Sequence, residues 1–138
     1  MRSVVDTNIL ARLVLLDDAA MLRDIESYFR IPERDRKTLV VAPTTVSEIA
    51  FLLSGRRVHY PPSEVARALH LLLSLPLRFL DRDVVERALE LYETVHPDWD
   101  DCMVAAYALE RADSDVLTYD RGFNRISGLS RSEPPHNP

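Results

Sequence analysis

The chain has 138 residues, 46% hydrophobic and 28% charged. That is the length of one ordinary domain with enough apolar content to bury a core, which excludes wholesale disorder. Its one cysteine, Cys102, excludes a disulfide framework within the chain. The net charge of −5, with Lys37 the sole lysine, argues against a simple basic nucleic-acid binder.

Ser3-Val4-Val5 reads as a short buried strand that runs straight into Asp6. The acid at Asp6, followed by Asn8 and Arg12, interrupts the apolar core that a signal peptide requires. No stretch approaches the run of about 18 apolar residues that spans a bilayer. The expected location is therefore the cytoplasm, with no membrane partner. Helical patterns follow over 8–16 and 19–29. Leu39-Val40-Val41 forms a second strand, and Pro43-Thr44-Thr45 opens a helix that ends near Gly55. Pro61-Pro62-Ser63-Glu64 predicts a helix start with Ser63 as cap and an apolar run to Leu75. The cluster Leu69, Leu71-Leu72-Leu73 and Leu75 suits a core, or a dimer or partner groove. A short strand at Leu77-Arg78-Phe79-Leu80 is expected next, then a helix from Asp81 to about Val95 and another from Trp99 to Ala112. Val116-Leu117-Thr118 is a strand leading through Tyr119 into Asp120. The remainder from Ser130 is expected to be a frayed tail. Strands alternating with helices predict an α/β layer fold with a mostly parallel sheet.

Acids recur where parallel strands end, the edge at which α/β proteins place ligands. Asp6 and Asp120 each follow a strand. Glu48 shares a helix face with Thr44, Thr45, Phe51 and Leu52, where burial without a partner is costly. Asp101 heads a stripe of small residues, Ala105, Ala108 and Ala112, and so should point inward; Asp98 is assigned to the cap and Asp100 to solvent. If Asp6, Glu48, Asp101 and Asp120 converge, they raise one another's pKa unless a cation compensates. An all-carboxylate set suits Mg²⁺ or Mn²⁺ rather than zinc, and such ions serve phosphodiester hydrolysis. Setting these four acids aside leaves the rest of the chain close to neutral, so RNA could approach.

These segments resemble a known family. Val4-Val5-Asp6-Thr7-Asn8-Ile9-Leu10 resembles the opening of PIN-domain ribonucleases, and Thr45-Val46-Ser47-Glu48-Ile49 resembles their glutamate helix. Trp99-Asp100-Asp101-Cys102-Met103-Val104-Ala105-Ala106 resembles the segment of their third acid. Val116-Leu117-Thr118-Tyr119-Asp120-Arg121-Gly122-Phe123 resembles that of their fourth. Small single-domain chains of this kind resemble VapC-type toxins of toxin–antitoxin pairs. The resemblance implies a three-layer PIN-like nuclease domain over 1–129, with a flexible tail over 130–138. It also implies a Mg²⁺-dependent endoribonuclease, usually a homodimer and inhibited by a VapB-type antitoxin. Asp6, Asp101 and Asp120 would hold the ion, and Glu48 would ligate it or orient the attacking water. Many members carry a further acid where this chain has Asn124.

Other readings explain less. An aspartyl phosphatase wants a second aspartate where Asn8 stands, and a phosphoacceptor receiver domain wants a lysine near its last strands. A PIN-like scaffold that binds RNA or a partner without cutting is the alternative from a different class. Cys102 lacks a base partner and reads as a core thiol. His59, His70, His96 and His136 show no ligand spacing, and Arg56-Arg57 and Arg121 suit RNA phosphate or a solvated face.

Overall fold

The computed structural model describes residues 1–135, so His136 and the end of the expected tail lie outside the described residues. The chain forms two compact units, one over Met1–Asp81 and one from Arg82 onward.

In the first unit β1 (Arg2–Val4), β2 (Thr38–Val41) and β3 (Arg78–Phe79) form a parallel sheet in the order β1-β2-β3. Val4 pairs with Val40, and Val41 with Phe79. Parallel neighbours need long crossovers. Helices α1 (Thr7–Leu15) and α2 (Ala19–Arg30) fill the first, and α3 (Pro43–Ser54) and α4 (Pro62–Leu73) fill the second. Leu10, Val41, Ile49, Leu53, Val65, Leu69 and Leu72 are buried, so the leucine-rich helix is core. Its outward face keeps Leu71, so the expected dimer surface there is small. Truncating Leu69 or Leu72 to alanine would cost about 2–5 kcal/mol.

The start of α4 differs from expectation. Pro61 is the N-cap and makes no side-chain cap, while Pro62 takes the first helical position. A proline there has φ already set and no N–H to satisfy, which places Ser63 inside the first turn.

In the second unit α5 (Arg82–Thr94) packs on α6 (Trp99–Arg111). Tyr92 and Trp99 meet edge to face with ring centroids 5.8 Å apart. Arg111 holds Asp83 with two bonds of 2.7 and 2.8 Å. Strand β4 (Asp115–Leu117) pairs in parallel with β5 (Ser130–Ser132), across a 3₁₀ turn at Arg121–Arg125. The strands are parallel as expected, but they divide into a sheet of three and a sheet of two. The second sheet rests on β5, where a frayed tail was expected. Ser-Arg-Ser carries none of the β-branched signal that marks a strand. Its pairing comes from bonds outside the pattern: Ser132 Oγ donates to Asp115 Oδ2 at 2.6 Å, and Ser130 N–H to the Ser114 carbonyl at 2.7 Å. No helix among the described residues is long and apolar enough to cross a membrane.

Candidate functional site

Asp6 lies just past β1 as the N-cap of α1, with extended backbone (φ −77°, ψ 151°) and no side-chain capping bond. Its exposed carboxylate is thus not taken up by the helix end, the ordinary role for aspartate at this position. The next residue, Thr7, donates its hydroxyl to Glu48 Oε2 at 2.6 Å across α1 and α3. Such a charge-assisted bond fixes the glutamate. Glu48 is exposed, on a face with Thr44 and Phe51 that is turned to solvent; Phe51 is 79% exposed. Of the other neighbours expected on that face, Thr45 is buried and Leu52 half-buried, so the enclosure of Glu48 is one-sided, with Ile49 and Leu53 supplying the buried side of α3. Asp6 also lines a groove of about 570 Å³ whose other walls include Val4, Ile9, Leu13, Ile25 and Phe29.

In the second unit Asp98 caps α6, its Oδ1 accepting the Asp101 N–H at 3.1 Å. Asp100 is exposed and Asp101 half-buried, while Ala105 and Ala108 beneath it are buried. Burial raises the Asp101 carboxyl above its usual pKa; Asp98, Asp120 and Asp100 push the same way, and His96 opposes them. Asp101 and Asp120 are therefore within electrostatic reach of each other. Asp120 caps the 3₁₀ turn, its Oδ1 accepting the Gly122 N–H at 2.8 Å, while its own N–H donates to Thr118 Oγ1 at 3.0 Å. The turn role and the exposed carboxylate thus coexist.

His96 belongs to this neighbourhood although its spacing gave no sign of it. Its side chain is 12% exposed, with Nε2 3.7 Å from Asp101 Oδ2. Its Nδ1 accepts the Asp98 N–H at 3.1 Å, which leaves Nε2 as the proton-bearing nitrogen of the neutral ring. Cys102 is buried, its Sγ donating to the His96 carbonyl at 3.4 Å. Burial foremost, with Asp98 and Asp101 nearby, pushes its thiol up to about 12. It is a core thiol, not a nucleophile.

The structure thus ties Glu48 to the residue after Asp6 in one unit, and couples Asp101 with Asp120 in the other. Among the described residues no group of three or more His, Cys, Asp or Glu side chains is arranged to hold a metal ion. The donor chemistry of Asp101 and Asp120 nevertheless fits a hard divalent cation, since both offer carboxylate oxygen in a negatively charged setting.

The PIN domain family matches residues 3–129. With nearly the whole chain matched, the protein belongs to the PIN domain family, whose members are generally nucleases that use divalent metals. Among solved structures it is similar to VapBC2 from Rickettsia felis, crystallised bound to a DNA fragment from their promoter. The two are 18% identical, the match covers 96% of this chain and 98% of that one, and the TM-score is 0.41. No curated protein matches the sequence.

Proposed function

We propose that the protein is a Mg²⁺-dependent endoribonuclease, with Mn²⁺ as a substitute, and the toxin of a type II toxin–antitoxin pair. Family membership supports the nuclease class. The observation that carries the reading in this chain is the gathering of acids in the second unit, where Asp101 in the first turn of α6 lies within electrostatic reach of its cap Asp98 and of Asp120 at the turn after β4. Carboxylates gathered in this way favour a bound cation. Asp6, Asp101 and Asp120 are assigned as the ligands. Glu48, oriented by the Thr7 hydroxyl, is assigned to ligate the ion or to accept a proton from the attacking water. The ion, when bound, supplies charge neutralisation at the phosphodiester.

The chain's own groups carry the rest. Thr7 holds Glu48 in one rotamer, and the Gly122 N–H does the same for Asp120. Near-neutral surface elsewhere admits the RNA backbone, with Arg56, Arg57 and Arg121 as candidates for phosphate. The apolar groove beside Asp6 suits a VapB-type antitoxin segment, whose apolar side chains would cover Ile9, Leu13 and Ile25. A homodimer in the cytoplasm completes the proposal.

The test is cleavage of structured RNA by protein freed of antitoxin. Cleavage should need Mg²⁺ or Mn²⁺, stop with EDTA, and fall at least a hundredfold in Asp6→Asn. Equal activity in Asp6→Asn and wild type refutes the assignment. Binding of RNA without cleavage under all metal conditions would establish the scaffold reading instead. Light scattering that gives a monomer at high micromolar concentration refutes the homodimer.

A further inference from the structure

We propose that Arg131 is the positioning residue for Asp120. The proposal rests on Asp120 being a metal-binding carboxylate, and it adds a residue beyond the segment, 3–129, that the family pattern matches.

Asp120 is oriented by two local bonds, its N–H to Thr118 Oγ1 and its Oδ1 from the Gly122 N–H. Whatever fixes Thr118 and the turn therefore fixes the carboxylate. Thr118 is held on both backbone groups from β5. Its N–H donates to the Ser132 carbonyl at 2.8 Å, an extension of the strand pairing. Its carbonyl accepts Arg131 Nη1 at 3.0 Å, which is a side-chain bond and no part of the ladder. At the other end of the loop Arg131 Nε donates to Asn124 Oδ1 at 3.3 Å.

One guanidinium thus spans the loop from Thr118 to Asn124, with Asp120 between. Its charge is met by Glu133 Oε1 at 2.7 Å, and the side chain is 16% exposed. A planar fork with several fixed donors can make this bracket, whereas a lysine ammonium reaches one end or the other. Asn124 gives the bracket a neutral acceptor, so it contributes no further negative charge beside Asp120. Strand β5 does not depend on the guanidinium for its own place, because its ladder, the Ser130–Ser114 bond and the Ser132–Asp115 bond remain without it.

The test uses the full chain, ¹⁵N-labelled, as wild type, Arg131→Leu and Arg131→Lys, well below the melting temperature. Arg131→Leu should speed hydrogen exchange of the Asp120 and Gly122 amides at least tenfold. The Ser130 and Thr118 amides of the sheet and the Ala105 amide of α6 should stay near wild type. Mn²⁺ titration, followed by paramagnetic broadening at Gly122, should weaken about tenfold. RNA cleavage should lose kcat with KM unchanged. Arg131→Lys should fall between the two and, should Arg131→Leu fail to fold, carries the comparison alone. Unchanged Asp120 and Gly122 amides overturn the proposal. So does loss of protection across the whole unit, which would make Arg131 a staple for β5. If wild type neither binds Mn²⁺ nor cleaves RNA, the nuclease reading fails, and the amide comparison still decides whether Arg131 sets Asp120.

Discussion

A methyl group at Gly122 separates the stability of the second unit from the aim of its acids. A Cβ there would stand 3.0 Å from Asp120 Oδ1 and 3.3 Å from His96 Nε2. Both are closer than ordinary van der Waals contact, so a neighbour must move. The His96 ring is enclosed and tied to the Asp98 N–H, whereas Asp120 is exposed. Asp120 therefore yields, and its bond from the Gly122 N–H is lost at a net cost of about 0.5–1.5 kcal/mol. Replacing glycine restricts the unfolded chain and returns about 0.4–1 kcal/mol where the backbone is compatible. Gly122 is not in the left-handed region. The two effects nearly cancel, leaving Tm within about 5 °C of wild type for a chain of this size. The carboxylate, in contrast, is turned away from the position that β4 and the turn give it. Gly122→Ala should therefore weaken Mn²⁺ binding and RNA cleavage at least tenfold, or about 1.4 kcal/mol. Melting curves in EDTA, a Mn²⁺ titration and a cleavage time course on the same preparation measure all three. Wild-type cleavage and Mn²⁺ affinity in this variant would refute the reasoning, and so would a fall in Tm of more than about 10 °C.

Asp101→Asn should raise Tm at neutral pH without metal. The folded-state pKa of Asp101 is raised, so relative stability is present below the unfolded value and lost as pH rises through the unfolded and then the folded value. The gain should vanish below the carboxylate range, and a variant that melts lower than wild type at pH 7 in EDTA contradicts it. Asp98→Ala should cost about 1 kcal/mol through the lost cap on α6, while Asp98→Asn keeps the cap and costs a few tenths; equal losses in urea melts would deny the capping role. Cys102, with its thiol near 12, should not react with a thiol reagent at pH 8 until denaturant is added; prompt reaction of folded protein would show that it is accessible.

Strands β1, β2 and β4 were legible because valine and leucine runs end at turn chemistry. Even β3, two residues long, was legible from the apolar residues around Phe79. Ala105 and Ala108 beneath Asp101 and the cap at Asp98 followed from helical spacing, whereas Ala112, expected on the same stripe, lies past the end of α6 and is exposed. The acids at strand ends could be found for the same reason, since a strand's end fixes the place of the next residue. The face of Glu48 was misread because helical periodicity gives neighbours without telling which side is covered. Phe51 suggested a core, yet it lies in solvent. His96 lies in the turn before α6 and Arg131 in a strand of three residues, too short to show a period, and each is held in part by a backbone group, the Asp98 N–H or the Thr118 carbonyl, that carries no residue identity. Gly122 was the available clue: it marked a turn, though not the crowding by Asp120 and His96.

The bond between Asp120 Oδ1 and the Gly122 N–H bears on ion discrimination. With one oxygen engaged at 2.8 Å, Asp120 would present chiefly its other oxygen to a cation. Calcium favours six to eight oxygens in loose arrangements that often include a bidentate carboxylate, whereas magnesium demands a compact octahedron and keeps part of its water. A carboxylate already committed to its own backbone suits the smaller ion. Competition should follow that order: millimolar Ca²⁺ displaces Mn²⁺ poorly from wild type.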